Sequence, residues 1–267
     1  MKQVFALLSL LLCTLAAPVS ADTYFLLVDP QDDRVVHQVG DAAGLRERLS
    51  PCSSFKIALS LMGYDAGILI DDETPCWPYV EDGEQRDVCR HALTPRSWMA
   101  NSCIWYSQVL TRQLGMERFS AYVDAFEYGN RDLTGDPGRA NGLTDAWLCS
   151  SLKISVEEQV AFLKKMLWGQ LPISAQARAQ TLDLLFTDTL NDGWSMYGKT
   201  GMGWQKMADG TPDPERYFGW FVGWIEKGDR QLLFALNLRN ITHVPPPAER
   251  RQLVKELLKT LEADAYQ

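Results

Sequence analysis

The chain has 267 residues, 46% of them hydrophobic and 22% charged, with a formal net charge of −8. That length suits one compact unit of two lobes sharing an interface. The acidic balance, with no basic cluster, argues against nucleic acid as a partner. Residues 1–21 read as a secretory signal peptide: Lys2 gives a positive start, Val4 to Leu15 an apolar stretch and Val19-Ser20-Ala21 a small-residue cleavage site. The apolar run is short for a bilayer span and no later stretch is apolar enough to cross one, so a periplasmic or secreted protein with no stable membrane partner is expected.

Tyr24–Val28 and Arg34–Val39 read as two strands joined at Pro30-Gln31-Asp32-Asp33. Phe55 to Met62 is apolar on nearly every face, which predicts a buried helix stopped by Gly63. Helical patterns dominate from about Asp65 to Thr189, including Ser102–Leu114, Met116–Ala125 and a helix beginning at Ser155, where Glu158 completes a capping box. Tyr197–Gly201, Tyr217–Glu226 and Gln231–Arg239 read as strands, the last two meeting at the turn signal Lys227-Gly228-Asp229. An amphipathic helix, Glu249–Ala263, closes the chain. Strands at both ends with helices between predict an α+β fold. Its antiparallel sheet comes from both chain ends, about 22–64 and 191–267, and a helical lobe of about 65–190 is inserted.

Five cysteines follow the leader, an odd number, so at least one is unpaired or pairs between molecules. Cys76 and Cys89 bracket a polar, turn-rich segment and are the expected disulfide of an exported protein. Cys52, Cys103 and Cys149 lie beside or within the motifs described next. No C-x-x-C occurs, and His37, His91 and His243 are scattered, so no metal site is expected.

Four short motifs carry chemistry. In Ser53-Ser54-Phe55-Lys56 the serine and lysine share one helix face if Ser53 opens the helix, and the helix N-terminus directs free N–H groups toward negative charge. A second match, Ser150-Ser151-Leu152-Lys153, precedes the Ser155 cap and alternates as Leu152 and Ile154. It is expected to be extended, where that geometry fails. Burial of Lys56 would lower its pKa, leaving a neutral amine able to act as a base or to add carbon dioxide. Ser102-Cys103-Ile104 and Tyr128-Gly129-Asn130 follow. Lys199-Thr200-Gly201 then places an ammonium and a hydroxyl on a strand whose glycine admits close backbone approach.

The order of these motifs, with Phe218-Gly219-Trp220-Phe221-Val222-Gly223-Trp224 after them, resembles the class D serine β-lactamases from about Tyr24 to the last helix. The resemblance implies the fold shared with penicillin-binding transpeptidases. It also implies hydrolysis of small-molecule β-lactams through a Ser53 acyl-enzyme, with N-carboxylated Lys56 as general base and no cofactor beyond carbon dioxide or bicarbonate. Ser102 would relay a proton toward the leaving nitrogen, beside Ile104 where the family has valine. Trp147-Leu148 resembles the family's W-L pair, whose tryptophan donates to the carbamate. Lys199, Thr200 and Arg250, or the adjacent Arg251, would bind the substrate carboxylate. The N–H groups of Ser53 and Met202 would form the oxyanion hole, Gly201 would lie along the substrate, and Tyr128 and Asn130 would support the pocket. Loop shape around Trp98, Leu148 and Met202 would select among substrates. A D-alanyl-D-alanine peptidase and a non-turnover β-lactam sensor remain the alternatives, and the oligomeric state is open.

Overall fold

A six-stranded antiparallel sheet frames the computed structural model, which describes residues 22–81, 86–190 and 193–264. The expected signal peptide lies outside the described residues. The strands are β1 (Asp22–Asp29), β2 (Arg34–Val39), β3 (Phe186–Thr189), β4 (Ser195–Lys206), β5 (Pro212–Lys227) and β6 (Arg230–Ile241), ordered β2-β1-β6-β5-β4-β3. The helices are α1 (Ala42–Arg46), α2 (Lys56–Asp65), α3 (Pro95–Asn101), α4 (Ile104–Ala125), α5 (Gly142–Asp145), α6 (Val156–Leu167), α7 (Ala175–Asp183) and α8 (Pro247–Asp264). Both chain ends thus meet in one sheet, because β1 pairs with β6 along Asp22 to Val28.

Side chains alternate across that sheet and build a core on each face. Leu26, Val28, Trp220, Val222, Trp224, Leu233 and Ala235 pack with the buried side chains of α2, α4 and α6. Phe25, Leu27, Phe221, Ile225, Phe234 and Leu236 pack with Val254 and Leu258 of α8. Where both faces are covered, Phe218–Ile225 of β5 and Leu232–Leu236 of β6 are apolar without interruption, as doubly buried strand segments must be, while Pro212–Arg216 at the start of β5 is polar and largely exposed. Gly228 at φ +58 supplies the left-handed turn between them.

Three local readings are corrected. Gly63 does not end α2; it lies inside the helix with no room for a Cβ beside Leu69, and the chain turns out at Gly67, whose φ is +67. Ser102 does not open a helix: it ends α3 in the left-handed conformation, φ +57, and α4 begins two residues later. The strand β3 was hidden in the helical reading because it is four residues long and three of them are polar or charged.

The disulfide also differs from expectation. Cys89 pairs with Cys103, with Cα atoms 5.6 Å apart, while Cys76 is free and exposed. Spacing could not separate the two partners, but the fold does. Trp77 and Leu93 form an antiparallel bridge, which sets Cys76 opposite Thr94 and away from Cys89. Since Cys103 follows Ser102 directly, the bond also anchors the Ser102 turn. We expect Cys103→Ala to destabilise the fold by about 3 kcal/mol, the loop-closure value for a ring of this size. Cys76→Ser should leave stability unchanged. Urea denaturation of the two variants checks both.

Candidate active site

Ser53 sits in a 3-10 turn, Cys52–Phe55, that runs into α2, so the helix axis starts at the serine. One turn on, Lys56 is fully buried and its Nζ donates to Ser53 Oγ at 3.4 Å. Burial chiefly, and then the nearby Arg86 guanidinium, lower the Lys56 pKa to about 7, so near neutrality half of the amine is uncharged. A neutral lysine within reach of a serine hydroxyl can accept its proton, the basic requirement for an activated nucleophile.

Strand β4 closes the other side. A Cβ on Gly201 would lie 2.7 Å from Pro51 O and 3.0 Å from Ser54 N, so only glycine lets this strand lie against the turn that carries Ser53. Lys199 Nζ donates to Ser102 Oγ at 2.9 Å and to Thr200 O at 3.1 Å, joining two of the motifs. Thr200 is half-buried and Met202 exposed on the same strand. Behind the strand, Arg250 of α8 is buried and its Nη1 donates to Gly201 O, in a space kept by Gly219, whose Cβ would crowd the guanidinium. Arg251 is only partly buried, which settles which of the two arginines faces β4.

The resulting electrostatics are one-sided. Burial, then Lys56 and Arg250, hold Lys199 well below the usual lysine pKa, and burial followed by Arg251 lowers Arg250 to about 10. Among the described residues no carboxylate pairs with Lys56, Lys199 or Arg250; their hydrogen bonds go to hydroxyl and carbonyl oxygens. Holding charge on such groups without counter-ions is costly, so an anion entering beside Lys199 and Arg250 would favour their protonated forms.

The sequence matches the family described as penicillin binding protein transpeptidase domain over residues 23–259. Beta-lactamase OXA-9 of Klebsiella pneumoniae is 40% identical over 212 residues, 79% of this chain and 76% of that protein. Beta-lactamase OXA-1 of Escherichia coli is 37% identical over 214 residues, 79% of this chain and 74% of that one. The crystal structure of the OXA-427 class D β-lactamase superposes with a TM-score of 0.79 at 42% identity, covering 90% of this chain and 99% of that chain. The chain belongs to the class D β-lactamases.

Other residues take their places around this class D site. Trp147 is fully buried, packed on Phe55 and Phe119 at centroid distances of 5.6 and 6.0 Å, and its Nε1–H has no acceptor among the described residues. Leu148 follows it, half-buried, and Ile104 is half-buried at the start of α4. Asn130 Nδ2 donates to Ser151 O, and Asn130 Oδ1 accepts from Lys153 N, so this side chain holds the far end of the Trp147 loop. Gly129 is obligatory beside it, at φ +54 with Lys153 O 2.0 Å from where a Cβ would stand. Tyr128 is buried in the aromatic cluster between Phe55 and Phe162. Trp98 does not border the site; it is fully buried, stacked on Tyr106 and donating to Ser107 Oγ. Arg86 is the residue that sequence reading missed: an exposed arginine donating to Asn101 O, near enough to influence both Lys56 and Lys199. It lies in a polar, turn-rich stretch that carries no motif.

Proposed function

We propose that this protein hydrolyses β-lactam antibiotics by a serine acyl-enzyme route, as an exported enzyme. The observation that carries the reading is the buried Lys56 amine, lowered to about 7 and 3.4 Å from Ser53 Oγ. Ser53 is the nucleophile, with its own N–H and that of Met202 as the oxyanion donors expected of such a site. Lys199, Thr200 and Arg250 supply the positive ground for the substrate carboxylate, which offsets the unpaired charge of the site. Ser102 accepts from Lys199, leaving its own proton to pass to the departing nitrogen.

An N-carboxyl group on Lys56 fits the residues present. The amine is deprotonated easily enough to take up carbon dioxide, and the orphaned Trp147 Nε1–H, against the ring of the residue before Lys56, needs an acceptor. When bound, that group supplies a carboxylate able to take a proton from the Ser53 hydroxyl or from water. Trp147→Phe removes the donor together with part of a fully buried ring, so some stability is lost with the cavity it leaves. We expect the variant to stay folded and to lose turnover about 10- to 100-fold, the worth of one hydrogen bond to a charged group. Circular dichroism and steady-state kinetics of the variant decide it.

Export is supported by the Cys89–Cys103 disulfide, a bond that persists in oxidising compartments. Turnover of a chromogenic cephalosporin tests the activity directly: hydrolysis at many equivalents per enzyme is expected. Stoichiometric acylation without release would favour the sensor reading instead.

A further inference from the structure

Two thiols remain unused beside the nucleophile. Cys52 and Cys149, 97 residues apart in sequence, bring their sulfurs to 3.7 Å. The backbone around them is already tied: Cys52 N donates to Trp147 O at 3.0 Å, Cys149 N to Ser50 Oγ at 3.0 Å, and Ser50 Oγ to Trp147 O at 2.6 Å. Both residues hold left-handed backbone, φ +47 and +55, a conformation that non-glycine residues take only where the surroundings impose it. Gly203 faces the pair, and a Cβ there would lie 2.6 Å from one sulfur and 2.5 Å from the other. The strand is cut away where the two sulfurs meet. A bonded pair stands at about 2.05 Å, so the sulfurs need close only about 1.6 Å.

We propose that Cys52 and Cys149 form a second, reversible disulfide in the oxidised protein, which ties the turn carrying Ser53 to the loop carrying Trp147. The oxidant is a small or protein disulfide. Cys149 is the partly exposed partner and Cys52 the buried one. The Cys149 sulfur accepts Trp204 N–H at 3.3 Å, and its pKa is lowered by its contact with Cys52 and by Trp204, with Lys206 adding to this, so its thiolate attacks first. A new S–S bond forms and one thiolate of the oxidant leaves. Cys52 then loses its proton and attacks the Cys149 sulfur, expelling the second thiolate. Two protein thiols are oxidised, one disulfide is reduced, and the released protons stay with the leaving thiolates.

The test uses the full-length mature protein with Cys76→Ser, which removes the exposed thiol. It is equilibrated with reduced and oxidised glutathione in increasing oxidised share, acid-quenched, alkylated with N-ethylmaleimide in denaturant and digested without reduction, with Cys89–Cys103 as internal reference. The expected result is a peptide pair joined through Cys52 and Cys149, both thiols disappearing together. Cys52 and Cys149 alkylated at every ratio, or carrying only glutathione, would overturn the proposal. Amide hydrogen exchange of segment 147–152 should slow severalfold on cross-linking and not in Cys149→Ala under the same buffers. Unchanged exchange in a cross-linked protein would refute the tie between the turn and the loop.

Discussion

Ser53→Ala is expected to lower kcat/KM for a penicillin by about 10⁴-fold or more and to abolish any covalent adduct, the usual cost of removing a catalytic nucleophile. The hydroxyl is the group Lys56 reaches, at the start of a helix and against the one strand glycine that permits it. Ser150 and Ser151 repeat the motif without the geometry. Ser150 Oγ donates to Asp136 at 2.8 Å, Ser151 Oγ donates to Asp132 O at 2.9 Å, and Lys153 is exposed on an extended segment bridged from Ile154 to Leu49. Their alanine variants should acylate within a few-fold of the parent and lose only loop stability. Intact mass after incubation with penicillin reads all three variants, and a persistent adduct on Ser53→Ala would remove the nucleophile assignment.

Lys56→Ala is expected to affect release more than attack. Removing the base should cut deacylation about 10²- to 10⁴-fold, so whatever acyl-enzyme forms should persist. The pH dependence follows from the same amine. Its pKa is lowered to about 7, so the neutral form is complete above that value and falls about tenfold per unit as the pH drops below it. Activity should therefore decline on the acid side of neutrality, and added bicarbonate should restore part of it by trapping the remaining neutral amine. Carbon-13 NMR of protein equilibrated with labelled bicarbonate should show a carbamate resonance that Lys56→Ala lacks. Turnover indifferent to bicarbonate, with no such resonance, would leave Lys56 a plain amine base.

Much of this arrangement is legible from periodicity. Runs of apolar, β-branched and aromatic residues bounded by turn residues mark β1, β2, β5 and β6, and the glycine between the last two strands marks their hairpin; the break at Gly115 in α4, φ +73, separates the two helical patterns read there. Ser53 and Lys56 are legible as a pair because three residues make a helical neighbour, whereas the alternation at Leu152 and Ile154 sets Ser150–Lys153 apart as extended. Three-dimensional pairing was not legible. Nothing local tells Cys89 to choose Cys103 over Cys76; a bridge between Trp77 and Leu93 decides it. Trp98, expected beside the loops that select substrates, is fully buried instead, its indole N–H satisfied by Ser107. The approach of Arg86 to Asn101 O and the Cys52–Cys149 contact likewise arise only when the chain folds back on itself.

The most direct test of the whole account is the mass of the protein followed through a penicillin reaction. The parent should gain one acyl group on Ser53 and return to its unmodified mass as substrate is exhausted, while Lys56→Ala should gain the group slowly and keep it. An adduct that never leaves the parent, or penicillin consumed with no adduct on Ser53, would contradict it.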